Sequence, residues 1–75
     1  MPRLPRITGK QAVSALTRMG FVTIQIRGSH VHLHRLGMEG IVTVPVHSGE
    51  ILAPKTLKSI LRQAGISVQI FMASL

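Results

Sequence analysis

The spacing of apolar residues changes period along the chain, and each change marks an element. Between Thr8 and Gly20, Ala12, Val13, Leu16 and Met19 fall on one helical face, and Lys10, Ser14, Thr17 and Arg18 fall on the other. Thr8 suits an N-cap and Gly20 a C-terminal stop, so the pattern predicts a helix running to about Met19. From Phe21 the period becomes two. Val22, Ile24 and Ile26 alternate with Thr23, Gln25 and Arg27; beyond Gly28-Ser29, Val31 and Leu33 alternate with His30, His32 and His34. Two alternating runs around a Gly-X pair predict a β-hairpin with a type II′ turn. With Gly28-Ser29 as the loop, Arg27 pairs with His30, Ile26 with Val31, Gln25 with His32, Ile24 with Leu33 and Thr23 with His34. Apolar meets apolar and polar meets polar at every step, and a one-residue slip destroys the match.

A turn around Gly37 and Gly40 leads to a third strand, Ile41 to Val46, with Val42, Val44 and Val46 on the core face and Thr43 on the open face. Pro45 cannot donate to a ladder, which places this strand at a sheet edge. After a loop, His47 to Ala53, Pro54 opens a helix with Leu57, Ile60, Leu61 and Ala64 as its apolar stripe and Gly65 as its end. Ser67 caps a last short helix, with Ile70 and Phe71 expected to pack inward. The predicted fold class is α+β, in the order α-β-β-β-α with a short terminal helix. Two helices cover one face of a three-stranded antiparallel sheet, and the other face is left to water. Residues 1–7, with Pro2, Arg3, Pro5 and Arg6, read as a flexible basic arm, and residues 8–75 as a single domain.

Composition narrows the partners. Nine Lys and Arg stand against two acids, Glu39 and Glu50, for a net charge of +7 over 75 residues. Such an excess implies a polyanionic partner: nucleic acid, an acidic protein or an anionic membrane. No apolar run approaches the roughly 18 residues of a membrane span, and the N-terminal stretch has no apolar core of a secretory signal, so no membrane role and a cytoplasmic location are expected. There is no cysteine, hence no disulfide and no Cys-based zinc site. Two Phe and no Tyr or Trp are too few aromatics for a base-stacking sheet platform. Lys55, Lys58 and Arg62 on one helix, with Lys10 and Arg18 on another, are candidates for tracking a phosphate backbone; the alternative is an ordinary solvated helix face.

The predicted open face carries Thr23, Gln25, Arg27, His30, His32, His34 and Thr43. His30, His32 and His34 point the same way, about 6.5–7 Å apart. Three readings compete. The first is general acid/base chemistry on RNA, whose own 2′-hydroxyl attacks the adjacent phosphate without a metal. His30 is best placed for it, at the first strand position beyond the turn, with Arg27 across the ladder to hold a phosphate. The second is a zinc site on the His30/His32 pair, which lacks a third ligand and nearby carboxylates. The third is a set of histidines with no specific role, the preferred reading for His32 and His34. No helix-turn-helix or ribbon-helix-helix pattern is present, so no direct DNA binding by this chain is expected.

Three segments together resemble a family. Gly28-Ser29-His30, then Val44-Pro45-Val46-His47-Ser48-Gly49-Glu50, then Thr56-Leu57 with Ile60-Leu61-Arg62-Gln63-Ala64-Gly65 resemble, in this order and spacing, the HicA toxins. The resemblance spans nearly the whole chain. It implies a fold like a double-stranded-RNA-binding domain and a toxin of a type II toxin–antitoxin system. The implied activity is that of a metal-independent endoribonuclease, an mRNA interferase with no cofactor. The catalytic histidine implied is the one in Gly-Ser-His, here His30; from their place at the turn, Arg27, Gly28 and Ser29 beside it are expected to bind the RNA. The implied partner is a HicB-like antitoxin that masks the site, consistent with the basic surface. A non-catalytic RNA-binding module, or an inactivated toxin that only binds its antitoxin, is the alternative. One departure stands out: Leu36-Gly37-Met38-Glu39-Gly40 replaces the Asp-Gly-Arg-like turn of many members, which leaves that loop's role open. His47 is read as stabilising its loop with Ser48 and Gly49.

Overall fold

A reciprocal pair of hydrogen bonds starts the first helix, α1 (Gly9–Arg18). The Thr8 hydroxyl accepts from the Gln11 N–H at 3.2 Å, and the Gln11 side-chain oxygen accepts from the Thr8 N–H at 2.9 Å, so two of the helix's orphan donors are satisfied. Ala12, Ala15 and Leu16 are buried, while Val13 and Met19 pack at the margin of the core. The computed structural model describes residues 3–75; Met1 and Pro2, the first residues of the predicted arm, lie outside the described residues. The rest of that arm runs without regular structure up to α1. Its Leu4 packs against the core and Ile7 is buried in it, with the Ile7 carbonyl accepting from the Leu52 N–H at 2.8 Å.

The hairpin consists of β1 (Phe21–Arg27) and β2 (His30–Arg35), joined by Gly28-Ser29. Gly28 has φ +56°, the positive value that a two-residue hairpin loop demands at its first position. Arg27↔His30, Ile26↔Val31 and Gln25↔His32 pair as the sequence predicts. The next two predicted pairs are not formed. Ile24 is an extra residue, a β-bulge, so Thr23 rather than Ile24 faces Leu33, and Val22 rather than Thr23 faces His34. The reason is Phe21. It has the opposite parity to Ile26, which pairs with Val31 on the helix side, so in a regular strand Phe21 would turn to the open face. One inserted residue reverses the phase, so Phe21 faces the helices opposite Arg35, where it is buried and lies under the Arg35 guanidinium, 5.2 Å from the ring centre. An aromatic side chain contributes more buried area than Val22 or Ile24, which are left 61% and 53% exposed.

The third strand, β3 (Val42–Pro45), is shorter than the predicted Ile41–Val46 and lies at the edge, as Pro45 requires. The sheet order is β1-β2-β3, antiparallel throughout. The β3 edge is closed: Pro45 has no N–H, and the Thr43 N–H donates to the Gln63 side-chain oxygen at 2.8 Å. Helix α2 (Pro54–Ala64) begins at Pro54, buries Leu57, Ile60, Leu61 and Ala64, and ends on Gly65 in the left-handed conformation. In α3 (Val68–Met72) the Ser67 hydroxyl accepts from the Ile70 N–H at 3.2 Å. Phe71 is fully buried, but Ile70, expected inside, is 55% exposed. Consecutive helical positions differ by about 100°, and a five-residue helix buries one of them. The architecture is α+β in the order α-β-β-β-α, like a double-stranded-RNA-binding domain, with Leu16, Leu33, Val42, Val44, Leu57, Ile60 and Phe71 at the centre of the core.

Candidate catalytic face

The ladder registers sort the open face of the sheet into three rows. At one end lies Arg27–His30–Pro45, then Gln25–His32–Thr43, then Val22–His34. Ile41, one residue before Val42, lies outside β3. The open face therefore differs from expectation at one position. Thr23 shares the helix side with Leu33, and Val22 takes its place among the histidines.

Hydrogen bonding separates the three histidines, which periodicity alone treats alike. His32 Nδ1 lies 3.0 Å from the Thr43 hydroxyl, and His34 Nδ1 lies 3.2 Å from the Gly40 carbonyl oxygen. The His34 contact requires a proton on Nδ1, because a carbonyl only accepts. Both rings are half-buried and held in place. His30 is exposed and its ring makes no hydrogen bond among the described residues. An imidazole of this kind is at liberty to exchange a proton with a bound substrate. The exposed Arg27 stands directly across the ladder, and its guanidinium matches a phosphate with two parallel donors.

The backbone around His30 is fixed by its neighbours. The Ser29 carbonyl accepts from the Val46 N–H at 2.6 Å, which ties the hairpin turn to the end of β3. Gly9, at the start of α1, packs so closely on that same end that an added Cβ would overlap the Pro45 carbonyl oxygen. The turn, the start of α1 and the β3–α2 loop thus converge at one end of the molecule. A groove of about 580 Å³ lies there, with Lys10 and Gln11 on one side and Val46, His47 and Ser48 on the other. His47 also approaches Glu50, Nδ1 to Oε2 3.9 Å, in an exposed pair of little energetic weight.

The other basic residues divide between the two ends. Lys10, on the first turn of α1, and Lys55, on the first turn of α2, lie toward the His30 end, and Lys58 follows one turn later. Arg18 is about 12 Å from Lys10 along the helix axis. Its Nε–H donates to the Ser74 carbonyl at 2.6 Å, beside a second groove of about 340 Å³ that runs along α1 between Lys10 and Arg18. Arg62 is on the last turn of α2. The placement of His47 opposite Lys10 had no sequence signal, since only the close contact of α1 with β3 brings the two segments together. Among the described residues no three His, Asp or Glu side chains gather to hold a metal ion, and no helix is long and apolar enough to cross a membrane.

Residues 9–66 of the 75-residue chain match the family model described as HicA toxin of bacterial toxin-antitoxin. The chain belongs to the HicA toxin family. The matched segment starts at the first residue of α1 and ends just past the Gly65 cap, so it contains all three strands and the convergence around His30. Among curated proteins no match was found. As a HicA toxin the chain has an antitoxin as its partner.

Proposed function

We propose that this HicA toxin is an endoribonuclease that cuts messenger RNA in the cytoplasm without a metal, with His30 as its catalytic proton-transfer group, and that a HicB-like antitoxin holds it in check. The observation that carries the reading is the contrast along β2: His32 and His34 are hydrogen-bonded to their neighbours, and His30 is exposed with Arg27 across from it. In the proposed reaction the RNA 2′-oxygen forms a bond to the adjacent phosphorus and the bond from phosphorus to the 5′-oxygen breaks. The 2′-hydroxyl gives up its proton and the leaving 5′-oxygen gains one. His30 takes part in this exchange as base, acid or both in turn, and Arg27 stabilises charge on the phosphate. The products are a 2′,3′-cyclic phosphate and a 5′-hydroxyl.

Gly28 and Ser29 present the turn backbone to the RNA, and the strand continues past Lys10, Lys55 and Lys58. Arg18 and Arg62 take part only where the RNA extends to the far end of the helices. This division yields an expected result. Lys10→Ala and Lys55→Ala each weaken binding of a short oligoribonucleotide roughly three- to tenfold and lower the salt slope by about one. Arg18→Ala and Arg62→Ala change binding less than about twofold on the same scale. Filter binding over a range of salt concentrations checks this, and equal effects at both ends refute the proposed path. Incubating the purified chain with bare RNA tests the activity itself. Fragments are expected, whereas RNA that is retarded but intact would assign a binding module instead.

A further inference from the structure

Cleavage by attack of the 2′-oxygen moves two protons, one off that oxygen and one onto the departing 5′-oxygen. In an in-line displacement these oxygens lie on opposite sides of the phosphorus. A proton-transfer group must come within about 2.6–3.2 Å of its oxygen, so two groups facing each other across the phosphate serve the reaction better than one. His32 and His34 cannot be the second group, because Thr43 and the Gly40 carbonyl hold their rings. Glu39 lies in the loop between β2 and β3, at the other end of the sheet from His30.

The fold carries His47 to the His30 end. Pro45 is the cross-strand neighbour of His30, and the next residue, Val46, donates its N–H to the Ser29 carbonyl. His47 follows directly. With strands about 5 Å apart and two residues advancing about 6.5 Å, the Cα atoms of His30 and His47 stand about 8 Å apart, which leaves room for one phosphate between the two rings. A hollow of about 250 Å³ leads from Pro45 to His47, Glu50 and Thr56, and the larger groove with Lys10 begins on the other side of His47. The imidazole is also free of structural duty. Its turn is closed by the backbone, the His47 carbonyl accepting from the Glu50 N–H at 3.0 Å, and Gly49 has the φ of +76° that the third position of such a turn takes. The side chain is 55% exposed, and Glu50 approaches it on the Nδ1 side, which leaves Nε2 to a substrate. Around it stand Arg27 and His30 at the hairpin end, Lys10 on α1, Lys55 at the start of α2 and Glu50 on its own turn.

We infer that His47 is the second proton-transfer group of the cleavage. One of His30 and His47 takes the 2′-hydroxyl proton as the bond from the 2′-oxygen to phosphorus forms. The other gives its proton to the 5′-oxygen as the bond from phosphorus to that oxygen breaks. One proton is taken up for each one released, and exchange with solvent returns both rings to their starting states. The inference rests on the cleavage reading above.

The test is single-turnover RNA cleavage over a range of pH by wild type, His47→Ala, His47→Gln and His30→Ala. Thermal melts are recorded alongside, with binding of an oligoribonucleotide that carries a 2′-deoxy sugar at the cut position. Wild type is expected to give a bell-shaped rate profile. Both His47 variants are expected to cut about a hundredfold more slowly, with the melting temperature kept and binding within about twofold of wild type. Their profile loses one limb of the bell, and that of His30→Ala loses the other. His47 variants that cut within about fivefold of wild type overturn the inference. Slower variants that keep both limbs also overturn it, since His47 would then act through the fold or through binding. A wild-type chain that cuts no RNA removes the cleavage reading and this inference with it, whereas cleavage that is indifferent to His47 removes this inference alone.

Discussion

His30→Ala is expected to lower the rate of RNA cleavage by about a hundredfold or more, with no change in the melting temperature. The two halves of this expectation have separate origins. The rate falls because the exposed imidazole beside Arg27 is, among the described residues, the one histidine on the face left without a local hydrogen bond. The fold is kept because an exposed ring with no partner contributes little to stability. His32→Ala and His34→Ala are expected to show the reverse. Each removes a hydrogen bond and costs about 1 kcal/mol, while the cleavage rate stays within roughly fivefold of wild type, a small factor beside the loss of a proton-transfer group. Single-turnover cleavage and thermal melts on the three variants give both readouts. A folded His30→Ala chain that cuts at the wild-type rate removes His30 from the chemistry.

Gly9→Ala is expected to have the largest effect on the fold. The new methyl group would overlap the Pro45 carbonyl oxygen and lie 3.0 Å from the Val46 Cα, so only backbone can move to make room. Overpacking of this kind costs about 1–3 kcal/mol or more, against a total of roughly 3–5 kcal/mol for a core of this size. The melting temperature should fall by about 10 °C or more. Gly28→Ala provides the comparison. Its φ is +56°, but no atom lies within 4 Å of the added carbon, so the cost is the conformational penalty alone, about 1–2 kcal/mol. Urea and thermal unfolding of both variants check the order. A Gly9→Ala chain as stable as wild type would mean that α1 does not seat against the end of β3, and the convergence around His30 would lose its support.

The helices were legible in the sequence because their signals are local. Thr8, Pro54, Gly65 and Ser67 act within one turn of where they stand, and the apolar stripe of α2 is buried residue for residue as its spacing indicates. The hairpin was legible near its turn, where Gly28 fixes the register, and was misread beyond the bulge. The clue was present: Phe21 is the largest apolar residue of the strand and sits out of phase with Ile26. Alternation in Val22, Ile24 and Ile26 outweighed it, although these three remain 61%, 53% and 66% exposed. At the candidate site, spacing placed three histidines on one face but gave no means of ranking them by their hydrogen bonds. Those bonds depend on Thr43 and Gly40, which reach the histidines only once β3 is docked. The groove between Lys10 and His47 was not legible at all, because it depends on how closely Gly9 lets α1 approach Pro45.

The most direct measurement is single-turnover cleavage, by the purified chain in excess chelator, of two otherwise identical oligoribonucleotides. One is all ribose, and the other carries a single 2′-deoxy sugar at the position cut in the first. The account predicts fragments ending in a 2′,3′-cyclic phosphate and a 5′-hydroxyl from the first, and no cut at that position in the second. Cleavage at the deoxy position, or a complete need for added metal, would contradict it.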